Sequence, residues 1–281
     1  MIPSGITSIE EYAFYGCKNL TRLSLSDSLI SIGINAFGRC SALNSVLFPE
    51  GLVTIESNAF EGCNLDSVAI PARVNYIGKQ AFSQNDGLLS IMVSHDNEFY
   101  DSRGGCNAII EKNSNKLVAG TFTSIIPESV TTIGKYAFYF CQKLESIEIL
   151  SGISSIEEYA FYGCKSLSYI NSMIMDVGSL EIHFDSSSNK FTPFRDIPSN
   201  CTWRVPSGTS SKYKAQPWWV STWKIIDPAD LNKDGRIDIA DAVSILNLMA
   251  ESTYSEEADI NNDNKVDIAD FVTILNIMAV Q

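Results

Sequence analysis

The stretch SIEEYAFYGCK runs from Ser8 to Lys18 and recurs, letter for letter, from Ser155 to Lys165. Its centre is the dipeptide Ala-Phe. That pair stands at Ala13-Phe14, Ala36-Phe37, Ala59-Phe60, Ala81-Phe82, Ala137-Phe138 and Ala160-Phe161, in steps of 23, 23, 22, 56 and 23 residues. A period near 23 means a solenoid, in which stacked units bury faces that no single unit can bury alone. One unit reads I-x-x-I-x-x-x-A-F-x-x-C-x-x-L-x-x-L-x-L-P. In the first copy these are Ile6, Ile9, Ala13, Phe14, Cys17, Leu20, Leu23 and Leu25.

The pattern carries its own physics. The LxxLxL part ends in period-2 alternation, which predicts a short strand with one face inward. The IxxI part predicts a second extended segment across the coil. Ala and Phe turn inward to fill the space between, and Glu10, Glu11 and Lys18, with Glu157, Glu158 and Lys165, decorate the outer edge. The step of 56 is two units plus about ten residues. Val93 to Pro127 fills it, and its apolar runs NAII and KLVAG around the polar EKNSN predict a β-hairpin. A second departure starts at Asn171, with no further Ala-Phe. Within it, Trp203, Trp218, Trp219 and Trp223 suit either a buried cap over the last coil or a sugar-stacking platform. Ile2-Pro3 aligns with Leu25-Ser26 and Phe48-Pro49, so the chain is expected to be a piece of a longer protein.

These repeats resemble the leucine-rich repeats of BspA-like bacterial surface proteins over about the first 225 residues. The resemblance implies a leucine-rich repeat solenoid, mainly β with short strands and turns. It also implies a class that includes adhesins for host matrix proteins and other bacteria. Interruptions and Trp-bearing closing segments of this kind occur in that family, which favours the buried cap.

Five of the seven cysteines, Cys17, Cys40, Cys63, Cys141 and Cys164, fall at one repeat position, where the fourth unit has Asn85. Stacked coils place them in a column about 5 Å apart. Parallel Cβ vectors are poor disulfide geometry, so the expectation is a column of buried thiols. Cys106 and Cys201 lie outside it.

The net charge is −13, which disfavours a nucleic-acid partner. From Ala229 to Gln281 there are 11 Asp plus Glu against 3 Lys plus Arg, a net of −8; the rest of the chain holds 22 against 17, or −5. That step marks a boundary near Asp227-Pro228 and a cation site beyond it. The domains expected are therefore 1–226, with the interruption at about 93–127 and the cap at about 171–226, and 227–281.

Two twelve-residue segments carry the acid: DLNKDGRIDIAD from Asp230 to Asp241, and DINNDNKVDIAD from Asp259 to Asp270. Each fits a calcium loop with oxygen donors at positions 1, 3, 5, 9 and 12 and a backbone carbonyl at 7. The first set is Asp230, Asn232, Asp234, the carbonyl of Arg236, Asp238 and Asp241. The second is Asp259, Asn261, Asp263, the carbonyl of Lys265, Asp267 and Asp270. Hard oxygen ligands at this density call for two Ca²⁺ rather than zinc. Position 6 needs a left-handed backbone, which Gly235 and Asn264 tolerate.

After each loop comes an apolar helical pattern, in which Val243, Ile245 or Leu246, and Met249 match Val272, Ile274 or Leu275, and Met278. No helix leads into the first loop. The duplicated loop plus helix resembles a type I dockerin, a small all-α module, over the final 52 residues. The resemblance implies a cohesin partner touching loop positions 10 and 11 and helix positions near 17 and 18. Here these are Ile239, Ala240, Leu246 and Asn247, and in the second copy Ile268, Ala269, Leu275 and Asn276. The two sets match in kind, as in dockerins that dock in two orientations. They depart from the Ser-Thr and basic pairs of well-known cellulosomal examples, which leaves open a different protein partner. The same residues could also be plain core or pack on the solenoid.

His95 and His183 sit beside no nucleophile motif, and no Gly-rich loop has phosphate-binding spacing, so no catalytic residue is assigned. The outward strand face is poor in charge and rich in Ser, with an apolar patch at Leu47, Ala69 and Met92 that suits protein contact. The function expected is a non-catalytic, secreted or cell-surface binding protein whose dockerin-like module tethers it to a partner. The alternative is a component of a cellulosome-like polysaccharide-degrading assembly, with the solenoid as glycan binder or spacer. No transmembrane segment is expected.

Overall fold

A computed structural model describes residues 3–185, 190–191, 193–255, 257–261 and 263–280. Ile2, on which part of the terminal alignment rests, lies outside the described residues. The chain divides into two compact units, residues 1–168 with 179–198, and residues 169–178 with 199–281.

In the first unit each coil contributes two extended segments. The I-x-x-I part gives two-residue strands at Ser8–Ile9, Ser31–Ile32, Thr54–Ile55 and Tyr76–Ile77, paired in parallel in register Ile9, Ile32, Ile55, Ile77. The L-x-x-L-x-L part gives Arg22–Ser24 beside Ser45–Leu47, and Ser67–Ile70 beside Ser90–Val93. Inward and outward positions alternate along them, as at Ser67 to Ile70.

The Ala-Phe turn locks one coil to the next. The Phe14 N–H donates to the Ala36 carbonyl at 2.8 Å, Phe37 to Ala59 at 2.8 Å, Phe60 to Ala81 at 2.8 Å and Phe138 to Ala160 at 2.7 Å. The residue before each Ala is left-handed to present that carbonyl: Tyr12, Asn35, Asn58, Gln80, Tyr136 and Tyr159 have φ of 54–64°. The rings then stack, Phe14 on Phe37 at 5.1 Å, Phe37 on Phe60 at 5.2 Å and Phe60 on Phe82 at 5.9 Å. Ala stays small because it is enclosed: Ala36, Ala59 and Ala160 have no exposed surface.

The interruption contains a hairpin, Ala108–Glu111 antiparallel to Lys116–Gly120, with Tyr100–Asp101 on its other edge. Its last strand then takes the place of an I-x-x-I strand, since Lys116 and Leu117 pair in parallel with Thr132 and Ile133. The Gly120 N–H donates to the Ala137 carbonyl at 2.8 Å, so Ala119-Gly120 replaces Ala-Phe. A Cβ on Gly120 would sit 2.3 Å from the Phe138 ring, which occupies the space of the missing phenyl. The stack restarts there, with Phe138 on Phe161 at 5.1 Å.

The stack also continues past the expected end of the repeats. Phe161 stacks on Phe194 at 5.3 Å, and the Phe161 N–H donates to the Pro193 carbonyl at 2.8 Å. Pro193-Phe194 is an Ala-Phe turn with Pro in the Ala place, so the departure read at Asn171 is an insertion before one more turn.

The second unit holds the parallel strands Tyr169–Ser172, Thr202–Arg204 and Lys224–Ile226, in register Ile170, Trp203, Ile225. Trp203, Trp218 and Trp223 are buried with Tyr213, and Trp219 is half-buried among them. The Trp203 ring lies 5.6 Å from that of Trp223. The Tyr213 hydroxyl meets the Ser172 hydroxyl at 2.6 Å and donates to the Ile174 carbonyl at 2.9 Å. The indoles pack on one another, as the buried-cap reading requires. Helix α1 (Ser210–Lys214) lies between the last two strands, and α2 (Ile239–Ala250) and α3 (Ile268–Val280) follow them. Ile245 and Ile274 are fully buried between α2 and α3 with Ala229, Ile237, Ala242 and Ile260. Adjacent Leu246 and Leu275 face out, which resolves the choice the periodicity left open.

Candidate functional site

The thiol column has a structural task. Cys40, Cys63 and Cys164 donate to the Phe14, Phe37 and Phe138 carbonyls of the preceding coil at 3.1, 3.2 and 3.0 Å. Asn85 does the same for the Phe60 carbonyl at 2.8 Å, and its oxygen accepts the Leu65 N–H at 3.0 Å. Cys and Asn thus serve as interchangeable donors to the carbonyl of the preceding coil, which in the Phe14, Phe37 and Phe138 cases also accepts the N–H three residues on. All seven cysteines are free. Burial pushes the Cys63, Cys141 and Cys201 thiols up to about 12, which removes the thiolate that nucleophilic or metal chemistry needs. The expected burial fails at two positions. Cys17 is exposed, because no described coil covers it, and Cys141 is half-buried, because the coil before it carries Gly120 in place of Phe.

Glu157 is not a plain edge residue. It accepts from Lys116 Nζ at 2.7 Å and from the Lys135 N–H at 2.8 Å. Burial alone would raise its pKa, but these donors hold the carboxyl below its usual range. His183, which the sequence left beside no nucleophile, lies 3.3 Å from the Ser155 hydroxyl. Glu157 is engaged by the lysines. His95 is an exposed partner of Asp96.

The outward strand positions are open. Leu47 is 80% exposed and Met92 58%, and Met92 stands in register with exposed Ala69 on the adjoining strand.

The two acidic loops have nearly the same internal wiring. In the first, Asp241 accepts the N–H groups of Asn232 at 3.1 Å and Asp238 at 2.9 Å, and Asp230 accepts that of Gly235 at 2.9 Å. In the second, Asp270 accepts from Asn261 at 3.2 Å and Asp267 at 2.9 Å, and Asp259 from Asn264 at 2.7 Å. Gly235 and Asn264 are left-handed, with φ of 86° and 66°. Asp238 and Asp267 accept the N–H groups of Ala240 and Ala269, each at 2.8 Å, and so cap α2 and α3.

These loops bury charge without a protein cation. Asp241 and Asp270 are fully buried and Asp259 is 6% exposed. Among the described residues none of them forms a salt bridge. The Asp230 Oδ1 atom is buried with no hydrogen-bond partner. Burial, with Asp241 and Asp234 nearby, raises the Asp230 pKa despite the Gly235 N–H. An orphaned, desolvated carboxylate oxygen in a loop with three further acids is the environment that a bound divalent cation relieves. Among the described residues no three His, Cys, Asp or Glu side chains are gathered into a preformed cluster. Each loop nevertheless carries four Asp side chains, with Asn232 or Asn261 and a backbone carbonyl as further oxygen donors. The residues present fit calcium.

All eight expected partner residues are exposed in the described structure. Ile239 and Ile268 are 60% and 59% exposed, and Leu246 and Leu275 are 41% and 37%. Ala240, Asn247, Ala269 and Asn276 are exposed as well. Within their own unit they are not core.

The chain matches the family model of the BspA type leucine-rich repeat region, in six copies, over residues 2–106 and 108–190. It matches the dockerin type I domain over residues 228–278. A leucine-rich repeat protein from Eubacterium ventriosum has a similar structure, with 22% identity and a TM-score of 0.52 over 72% of this chain and 58% of that one. A leucine-rich cell surface protein from Faecalibacterium prausnitzii matches at 24% identity and a TM-score of 0.46, over 77% of this chain and 66% of that one. The chain thus spans less than two thirds of the length of both. No curated protein matches it.

Proposed function

Since this chain belongs to the BspA-type leucine-rich repeat family and carries a dockerin type I domain, we propose that it is a non-catalytic protein, secreted or held at a cell surface, that joins two protein partners. Both families are non-catalytic binding domains, typically extracellular. Among the described residues no helix is long and apolar enough to cross a membrane. The solenoid offers the Leu47, Ala69 and Met92 patch to a protein ligand. Two Ca²⁺, held by the donors of the two loops, supply the charge that lets the buried carboxylates fold. The module then tethers the chain to a cohesin-type partner.

The observation that carries this reading is the duplicated exposed face, with Ile239 and Leu246 matched by Ile268 and Leu275. The partner surface that fits it is apolar and uncharged. Pull-down on a cohesin panel in calcium tests it, with Leu246→Asp, Leu275→Asp and the double variant. Equivalent faces predict that each single variant still binds and that the double variant loses at least about a hundredfold in affinity. Full binding by the double variant would remove these residues from the interface. The dockerin match also favours membership of a polysaccharide-degrading assembly, with the solenoid as spacer or glycan binder. Binding to a glycan array that Leu47→Asp with Met92→Asp leaves unchanged would favour that role.

A further inference from the structure

We infer that the calcium-loop module and the solenoid cap are one cooperative unit, so that calcium bound in the loops stabilises the cap and the cap tightens the loops' hold on calcium. The inference rests on the calcium reading above. It goes beyond it, because a dockerin-like tether on a short linker need not touch what it carries.

One buried carboxylate joins the two parts. Asp227 is 5% exposed. Its Oδ1 accepts the N–H of Gly208 at 2.9 Å and of Ala229 at 3.1 Å, and its Oδ2 accepts that of Ser210 at 3.0 Å. Gly208 and Ser210 belong to the cap turn that opens α1; Ala229 is buried in the module's core. The Asp227 carbonyl accepts the N–H of Asp230, the first residue of the first loop, at 3.0 Å. Cap turn, linker and first loop therefore meet on a single residue.

The second contact is steric and lies at the other end of the module. Gly208 has a φ of 78°, and a Cβ there would stand 2.5 Å from the Ile277 side chain. Ile277 belongs to α3 and packs on the module's core. Only a glycine lets the cap turn take this backbone and lie so close to α3. Lys214 of α1 also lies near the first loop, its Nζ 3.9 Å from where a Cβ on Gly235 would stand. At Asp227 the two parts also share a cleft of about 410 Å³, walled by Arg204 and Ile226 of the cap strands and by Leu231 and Lys233 of the loop.

The coupling follows from linkage. Without cation the loops cannot keep their carboxylates buried, and α2 and α3 lose their common core. Ile277 then leaves Gly208, and the Asp227 bonds lose their fixed partner at Ala229. By reciprocity, weakening the cap contact must weaken calcium binding by the same factor.

The test uses the whole chain and Ile277→Ala, a residue that holds no calcium, with Asp227→Asn as a second variant. Calcium affinity is measured by titration calorimetry, and hydrogen exchange is followed over residues 201–226 with calcium and after chelation. The expected result is that chelation speeds exchange in 201–226, and that each variant weakens calcium binding about tenfold. Calcium bound with parent affinity in both variants, and cap exchange unchanged on chelation, would overturn the coupling while leaving the calcium reading intact. Absence of calcium binding by the parent chain would overturn both. A folding defect in one variant shows as lost cap protection in saturating calcium, and the parent chain's own response to chelation still decides the outcome.

Discussion

The solenoid and the calcium-loop module solve the same problem in opposite ways. The coils bury rings, methyls and thiols, and polar groups that go inside with them bond to a neighbouring coil, as Asn85 does with the Phe60 carbonyl; the Asn58 Oδ1 atom is buried with no hydrogen-bond partner. Among the described residues the module's core cluster holds six buried residues, and the module buries Asp241 and Asp270 as well. One part closes largely on its own side chains; the other, on the function proposed above, closes around an ion. The difference teaches where each part is vulnerable. A lost ring should unstack the coils in any solution, whereas the module should respond to calcium before it responds to any lost methyl.

The largest effect expected is in the solenoid. Phe60 is fully buried between Phe37 and Phe82, so Phe60→Ala should destabilise the first unit by about 4 kcal/mol. Denaturant unfolding should show the same loss with and without calcium. A loss that appeared only after chelation would erase the contrast between the two parts.

Asp241→Asn comes next. It keeps the shape but removes a charge and aims an amide at the N–H groups of Asn232 and Asp238. Calcium affinity of that loop should fall about a hundredfold, close to 2.7 kcal/mol. The coils before Ser168 should unfold at the parent denaturant concentration. Equal affinity would mean that Asp241 holds no cation.

The smallest effect concerns pH. The Glu157 carboxyl is held below its usual pKa, so its bond to Lys116 contributes stability above the unfolded value near 4.5 and loses it as pH falls through the folded value. Lys116→Met should cost about 1 kcal/mol at pH 7. That deficit should vanish once the pH has fallen through the folded value, which lies below 4.5. A deficit that persisted in acid would assign the effect to packing of the lysine stem.

Much of this architecture is legible in the sequence because repetition makes it so. Ala-Phe gave the period, and the step of 56 exposed the interruption. The loops were legible because calcium geometry demands one donor type at each position and left-handed backbone at Gly235 and Asn264. The final turn at Pro193-Phe194 escaped because Pro stands where Ala was expected, 33 residues after Phe161. Gly120 escaped because its role is to leave room for Phe138, and absence carries no pattern. The Ser155 and His183 contact, and the meeting of Gly208 with Ile277, join residues far apart in the chain. No periodicity records them.

The division between a self-sufficient solenoid and an ion-dependent module is tested most directly by hydrogen exchange of the intact chain, in calcium and after chelation. It is read separately over residues 8–164 and 230–278. The account predicts that chelation strips protection from 230–278 and leaves 8–164 protected as before. Unchanged protection in 230–278, or equal loss in both regions, would contradict it.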